Sequence, residues 1–462
     1  MKPQSSSNSS SELGQSVDIQ LIIDSRKMSA FQIVVVAICV LVLLLDGFDA
    51  VMIAYVAPFL AGTLHLAPKE LAPLFTSGML GLTVGAFGCG ALADKIGRKR
   101  VLLASVAVFG GFTLIAAAYH ELNQLVLLRF LAGVGLGGAG PSAMALIAEI
   151  CPSDRRSAQL AYLGSGIPLG GGIAGAAATK LIPHYGWASM FIVGGILPLL
   201  LLVAIAARVP DSVRFLLLRR AGQEKIRRIM MKMAPDLDFS AAKFISHNES
   251  ESKSFVLDLF RDGLAAPTIL LWVASFCVLL VMYFITNWLP ILLHSTQYTL
   301  PHISLVMSLF LVCSPVGSLT VGFLMDRHDK QLCMAVCAFA GAICLLIVGA
   351  VVADIAMVAI VIGLVGATLG ACVTGMSIIA SFLYPTSVRA TGIGWTAGCG
   401  RLGSVFGTSI GGLLLATGVH VQSLLSATAA PAMLASICFI ALIFAARHYA
   451  TNVSSAKMGA AL

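Results

Sequence analysis

Charge is what this chain has least of. Asp, Glu, Lys and Arg make up 11% of its 462 residues, whereas soluble domains carry roughly 25%. Apolar residues make up 58%, and the mean hydropathy is +0.95. So little polar surface cannot cover a water-facing globule, so lipid is the expected solvent. The net charge of +8 would suit nucleic acid, but the basic residues are scattered over short loops. No nucleic-acid partner is expected. The eleven cysteines form no CxxC pair and no His-flanked metal spacing. Cys39, Cys89, Cys277, Cys313, Cys344, Cys372 and Cys399 sit in apolar runs, where Cys is a small hydrophobe. No disulfide framework and no metal site is expected. Nucleophile constellations and phosphate loops are also missing, so no catalytic residue is assigned and an enzyme is not expected. The polar, Ser-rich N-terminus lacks the apolar core of a cleaved signal peptide, so the first apolar run should direct insertion.

What is present is length without charge. A bilayer crossing takes about 20 apolar residues. Twelve apolar segments are read: 31–55, 71–93, 101–119, 123–148, 157–181, 187–207, 266–290, 303–325, 332–351, 355–383, 390–416 and 424–446. They divide six and six around a polar stretch. The expectation is an all-α membrane protein, with twelve transmembrane helices in two pseudo-symmetric six-helix bundles. Residues 1–30 form a tail, 31–208 the first bundle, 209–264 a central loop, 265–446 the second bundle and 447–462 a second tail. The central loop has room for one amphipathic helix around Glu224–Met233. Forty-five glycines suit close helix packing in lipid.

Orientation follows from Lys and Arg. Of the 29 such residues, Lys69 and Lys180 fall on one side, Arg129 and Arg401 lie inside spans, and the other 25 share the opposite side. That side is expected to be cytoplasmic and to hold both termini.

The halves repeat. Gly90-Ala-Leu-Ala-Asp94-Lys95 follows the second span, and Gly322-Phe-Leu-Met-Asp326-Arg327 follows the eighth, their Asp residues 232 apart. Pro152 and Arg156 after the fourth span match Pro385 and Arg389 after the tenth at an offset of 233. Duplicated halves place a substrate site at the midplane between them.

The loop GALADKIGRKR, residues 90–100, resembles the signature of the major facilitator superfamily. Glu149 and Arg156, bracketing the end of span four, resemble a superfamily pattern too. The resemblance implies a gate on the cytoplasmic side made by Asp94, Arg98, Glu149 and Arg156, with Asp326 and Arg389 as second-half counterparts. The other reading makes the basic residues topology determinants and Glu149 a carboxylate reaching water at a helix end. The second copy is altered: Asp329 replaces the second Gly, and Phe382 stands where Glu149 would align. Any gate there should be weaker or different.

Charges inside spans are costly, on the order of 2.5–3.5 kcal/mol each on insertion scales. They are Asp46, Asp49, Arg129 and Arg401. Asp46 and Asp49 are three apart and share a helix face. Two ionised carboxylates there repel, so one is expected to hold a proton, which suits proton uptake and release. Arg129 can neutralise whichever is ionised; the alternative is a purely structural Asp–Arg pair. No histidine is central in a span. Arg401 lies eleven residues into its span and calls for an anion, because guanidinium matches carboxylate in a fork. Backbone carbonyls or a first-half Asp are the alternative partners. Tyr283, Phe284, Trp288 and Trp395 lie near this level, with Asn287 and Thr374 as hydrogen-bonding groups. Each alone is more often a lipid-facing or packing residue. Together with Arg401 they suit a flat apolar ring bearing a carboxylate.

Asp46-Gly47-Phe48-Asp49 resembles the DGFD of the aromatic acid:proton symporters. So do Arg129-Phe130-Leu-Ala-Gly133-Val-Gly135-Leu-Gly137, and Tyr384-Pro385 followed by Arg389-Ala-Thr391-Gly392-x-Gly394-Trp395 and Gly400-Arg401. Val209-Pro210-Asp211-Ser212-Val-Arg-Phe215-Leu216 is similar to that family's LPESxRFL. The resemblance covers about residues 17–448. It implies the major facilitator fold and import of a benzoate-, hydroxybenzoate- or phenylpropanoate-type acid with protons across a bacterial inner membrane. The proton gradient is then the energy source, without a cofactor, and superfamily resemblance implies a monomer. A dicarboxylate carrier also belongs to the family. An exporter is a further alternative, although Gly166-Ile-Pro168-Leu-Gly170-Gly171 lacks the Gly-Pro step of antiporter motifs. A membrane receptor for aromatic acids is the alternative of another class, although the central loop of 56 residues is no large soluble domain to relay a signal.

Overall fold

In lipid every backbone N–H and C=O must be satisfied within its own segment, so apolar runs of this length become helices. The computed structural model describes residues 16–218, 223–237, 239, 243–245, 256–261, 263–385, 388–417 and 419–459. A short α1 (Ile19–Asp24) precedes the first bundle: α2 (Ala30–Leu64), α3 (Pro68–Ile96), α4 (Arg98–Ala116), α5 (Leu122–Ile150), α6 (Ser153–Tyr185) and α7 (Ala188–Arg208). The linker carries α8 (Val213–Leu218) and α9 (Gln223–Met233). The second bundle is α10 (Ala265–Ser295), α11 (Leu300–Arg327), α12 (Lys330–Ala350), α13 (Ile355–Leu383), α14 (Arg389–Ala416) and a last span broken into α15 (Val421–Ala427) and α16 (Ala429–Gly459). Helix α2 outruns its apolar segment, continues through Pro58 and stops where His65 turns left-handed at φ 53°.

The halves share one packing plan. In the first, α2 packs on α6 and α3 on α5; in the second, α10 packs on α14 and α11 on α13. Glycine permits the approach. A Cβ on Gly137 would strike the backbone of Leu82, and one on Gly407 the backbone of Leu280. Among the described residues, ten helical segments are long and apolar enough to cross a membrane on composition alone; α6 and α14 are not among them. Both are Gly-rich, hold equivalent places in the two halves, and pair with the first helix of their bundle. Neighbouring protein, rather than their own hydropathy, makes them spans.

The linker is more ordered than a loop. Helix α9 buries Ile226, Met230 and Met233, the apolar face expected of Glu224–Met233. Ile19 and Ile23 of the tail join the same apolar cluster under the first bundle. Two three-residue strands, β1 (Ser16–Asp18) and β2 (Lys243–Ile245), pair in parallel, a small departure from an all-helical chain. Lying outside the spans, they escape the rule that excludes open strand edges from lipid. The Arg26–Asp236 ion pair and Lys232 over the Phe31 ring, 5.6 Å from its centroid, complete this plate. Asp236 is held below the usual carboxylate range by its hydrogen bond from Arg26.

Candidate functional site

The four intramembrane charges divide into two pairs of different character. Asp49 of α2 is fully buried. Its Oδ1 accepts from Thr113 Oγ1 of α4 at 2.9 Å, and its Oδ2 accepts from Arg129 Nη1 of α5 at 2.9 Å. Arg129 Nη2 also donates to the Asp49 backbone oxygen at 3.4 Å. Gly78 of α3 leaves room for this guanidinium, whose Nη2 lies 3.7 Å from where a Cβ would stand. The result is a closed ion pair stitching α2, α4 and α5 inside the first half.

Asp46, one turn earlier on α2, is also buried, at 8% exposure. It has no ion pair or side-chain hydrogen bond among the described residues. The charges acting on it are Asp49 and, from α14 in the other half, Arg401. Tyr283 of α10 lies within electrostatic reach of both Asp46 and Arg401. Asp46 on α2, Tyr283 on α10 and Arg401 on α14 form a candidate cluster, α10 packing against both α2 and α14. Tyr283 and Arg401 keep partial exposure, so this cluster is not sealed.

The aromatic candidates separate. Trp288 is fully buried and five residues beyond Tyr283, about 7.5 Å along the helix. Its Nε1 donates to the Thr408 oxygen at 2.8 Å, and its ring meets Phe75 of α3 edge-on at 5.2 Å. It joins the halves rather than facing Arg401. Asn287 turns its amide back to the Tyr283 oxygen at 2.9 Å, and Phe284 lies in the core. Trp395, 44% exposed, stacks on Trp272 at 5.6 Å, six residues from Arg401 towards the end of the bundle that carries the termini and linker, here the basic end. Thr374 is half-buried on α13, with no side-chain hydrogen bond among the described residues.

The halves are bolted together at the opposite, far end. Thr76 Oγ1 and Ser409 Oγ are 2.9 Å apart, Phe59 meets His294 at 5.8 Å, and Trp288 meets Phe75.

At the basic end, Arg98 at the start of α4 forms an ion pair with Glu149 at the end of α5 and donates to the Ala145 oxygen at 3.1 Å. This pair lies within one half. The side chains of Asp94 and Arg156 lie outside the described residues, though their backbones place them in the last turn of α3 and the first turn of α6. In the second half Asp326 is exposed, and Arg389 Nε donates to the Tyr384 oxygen at 3.3 Å. The equivalents of Arg98 and Glu149 are Lys330 and Phe382, and they still meet: the Lys330 ammonium sits 4.5 Å from the Phe382 ring centroid. A cation–π contact replaces the ion pair. Gly97 between α3 and α4 takes φ 99°, against the ring of Phe215, whereas Asp329 takes φ −59° and caps α12 by accepting from the Leu332 N–H. An Asp cannot adopt the Gly97 conformation cheaply, so the second loop is rebuilt as a cap.

Thr113 was not foreseeable, because a Thr in an apolar run more often bonds its own helix, as Thr286 does to the Met282 oxygen. The Lys330–Phe382 contact is signalled by the repeat, since both positions align with the Arg98–Glu149 pair.

The family model described as Major Facilitator Superfamily matches residues 39–301 and 271–461. The 4-hydroxybenzoate transporter of Pseudomonas putida is 33% identical, covering 92% of this chain and 95% of its own. The gallate transporter of the same species is 32% identical with the same coverage. The 3-(3-hydroxy-phenyl)propionate transporter of Escherichia coli is 31% identical, covering 88% of this chain and 93% of its own. Among solved structures, the xylose transporter of E. coli in its inward-open conformation superposes with a TM-score of 0.69 at 16% identity, over 88% of this chain and 95% of that one, a likeness of fold.

Proposed function

The chain belongs to the major facilitator superfamily, among its aromatic acid transporters, and from that premise we propose that it imports a small aromatic monocarboxylate together with protons. It works by alternating access in a bacterial inner membrane, as a monomer, with both termini and the linker in the cytoplasm. The proton gradient supplies the energy, and no cofactor is needed. The observation that carries this reading is the placement of Asp46 and Arg401: opposite charges inside spans of opposite halves, Asp46 buried and Arg401 partly exposed, with the halves in contact at the far end. Arg401 takes the substrate carboxylate, and Tyr283 stands beside it. Asp46 takes the proton. Asp49, closed onto Arg129 and Thr113, is a fixed charge that sets the field at Asp46. The bolted far end corresponds to an inward-facing carrier, with Arg98, Glu149 and their neighbours meeting the second half when the basic end closes. Relatives named for hydroxybenzoate, gallate and hydroxyphenylpropionate support an aromatic ring on the substrate.

The test is uptake of radiolabelled benzoates, hydroxybenzoates, phenylpropanoates and dicarboxylates by cells expressing the chain, with and without a proton uncoupler. Accumulation of at least one aromatic acid, abolished by the uncoupler, is expected. Uptake confined to dicarboxylates, or indifferent to the uncoupler, contradicts the reading.

A further inference from the structure

The far-end closure is built twice, once on each seam between the halves, an inference that deepens the transport reading proposed above. Helix α6 meets α11 along one seam and α14 meets α3 along the other, equivalent pairings under the duplication. Each seam holds a fully buried aromatic side chain, Tyr55 of α2 in the first and Trp288 of α10 in the second. They stand 233 residues apart, the spacing of the repeat. Each is seated on a glycine of a neighbouring helix in its own half. A Cβ on Gly175 of α6 would stand 2.5 Å from the Tyr55 hydroxyl and 3.0 Å from its Cζ, and one on Gly411 of α14 would run into the Trp288 indole. Each then faces a small residue of the other half. The same Cβ on Gly175 would lie 2.8 Å from Ser304 Oγ of α11, and one on Gly412 would lie 2.6 Å from the Ala72 Cβ of α3 and 3.1 Å from the indole. Ala72 and Ser304 are themselves 232 residues apart.

The two seams differ in where the polar atom goes. Trp288 Nε1 donates to the Thr408 oxygen at 2.8 Å, inside its own half, so only apolar ring faces α3, with Phe75 at 5.2 Å. The polar contact between halves on that seam is a separate one, Thr76 to Ser409 at 2.9 Å. The Tyr55 hydroxyl is shut off from water between Gly175 and Ser304, so its polar atom faces the other half. Packing this close leaves no slack, and such an interface is either made or parted. We propose that Tyr55 and Trp288 are the paired wedges of the outer gate. Each stays seated on its own half, and the far end opens when Tyr55 parts from Ser304 and Trp288 parts from Phe75 and Ala72. Both are positioning residues: they set how readily the far end opens and do not hold the substrate.

The test reads the far end directly. The full chain carrying Thr76→Cys is labelled in intact cells by a membrane-impermeant maleimide. The native cysteines are all buried or half-buried, and the parent chain gives their background. Adding Gly175→Ala or Trp288→Leu should raise the labelling rate by about 5–30-fold, the change in a two-state ratio on losing one such contact. Phe109→Ala, which empties a fully buried site inside the first half, should not raise it. Tyr55→Phe added to Gly175→Ala removes the atom that the new methyl meets first and should bring the rate most of the way back. A second arm needs no core variant. Oxidising Thr76→Cys/Ser409→Cys should stop uptake of 4-hydroxybenzoate, reductant should restore it, and neither single cysteine should respond. Unchanged labelling in Gly175→Ala and Trp288→Leu, an equal rise in Phe109→Ala, no relief from Tyr55→Phe, or uptake that survives the cross-link overturns the proposal. Labelling needs no substrate, so a chain that shows these shifts yet takes up no aromatic acid contradicts the transport reading and leaves the gate standing.

Discussion

The two halves share a packing plan but not a charge plan. The first half closes its polar groups on themselves: Asp49 with Arg129 and Thr113 at the centre, Arg98 with Glu149 at the basic end. The second half leaves its central charge, Arg401, partly exposed and without an ion pair among the described residues. Its basic-end contact is the softer Lys330–Phe382 pair, and Asp329 and Asp354 serve as helix caps. Duplication supplied two similar bundles, and the difference suits a division of labour. One half is a rigid frame that holds a fixed field. The other presents a cation whose partner can change. A buried ion pair is expensive to break by removing one member, whereas a cation that exchanges partners must not be locked.

The sharpest way to break this comparison is to remove one central arginine from each half. Arg129→Leu strands the fully buried Asp49 carboxylate and should cost about 3–5 kcal/mol, visible as a large drop in melting temperature of the detergent-purified chain. Restoring part of that loss with Asp49→Asn in the same chain would fit a closed pair. Arg401→Gln should leave melting nearly unchanged but weaken substrate binding by about 10–150-fold, the equivalent of a charge-assisted hydrogen bond of roughly 1.5–3 kcal/mol, read by ligand titration. If the two variants swap phenotypes, the division between frame and site is wrong.

The basic-end pairs sharpen it further. Glu149→Gln removes a charge that is mostly shielded from water and should destabilise the first half by about 1.5–3 kcal/mol, whereas Phe382→Ala should cost only about 0.5–1 kcal/mol. Comparable melting shifts for the two would deny the asymmetry. The smallest effect belongs to the tail. The Asp236 carboxyl is depressed by Arg26, so this tie is present above the ordinary carboxylate range and is lost as pH falls through the lower value Asp236 has in the folded chain. Both partners are exposed, so the expected readout is modest: faster amide exchange in residues 16–24 at acid pH, a change that Asp236→Asn should produce at neutral pH.

Much of this was legible in the sequence. Apolar run length gave twelve spans, because lipid forces satisfied backbones, and the offset of 232–233 exposed the duplication. The four buried charges stood out because charge is rare here. Sequence could not decide which aspartate Arg129 takes: a spacing of three puts both on one face, and the choice is made by α4, whose Thr113 fills the other oxygen of Asp49. Nor could it separate Trp288 from the substrate wall, since an indole that bolts two halves has the same signature as one that lines a site. The tail's packing under the first bundle escaped notice because Ile19 and Ile23 are two apolar residues in a polar stretch.

The claim at the centre is that two aspartates one turn apart do different work, with Asp46 the one that carries the proton. Counterflow and net uptake of 4-hydroxybenzoate by Asp46→Asn in proteoliposomes test it most directly. A neutral residue there mimics the protonated carboxyl but has no proton to release. Counterflow should therefore persist within about threefold of wild type, roughly 0.65 kcal/mol, while accumulation driven by a pH gradient disappears. An Asp46→Asn protein that still concentrates substrate against its gradient would contradict the account.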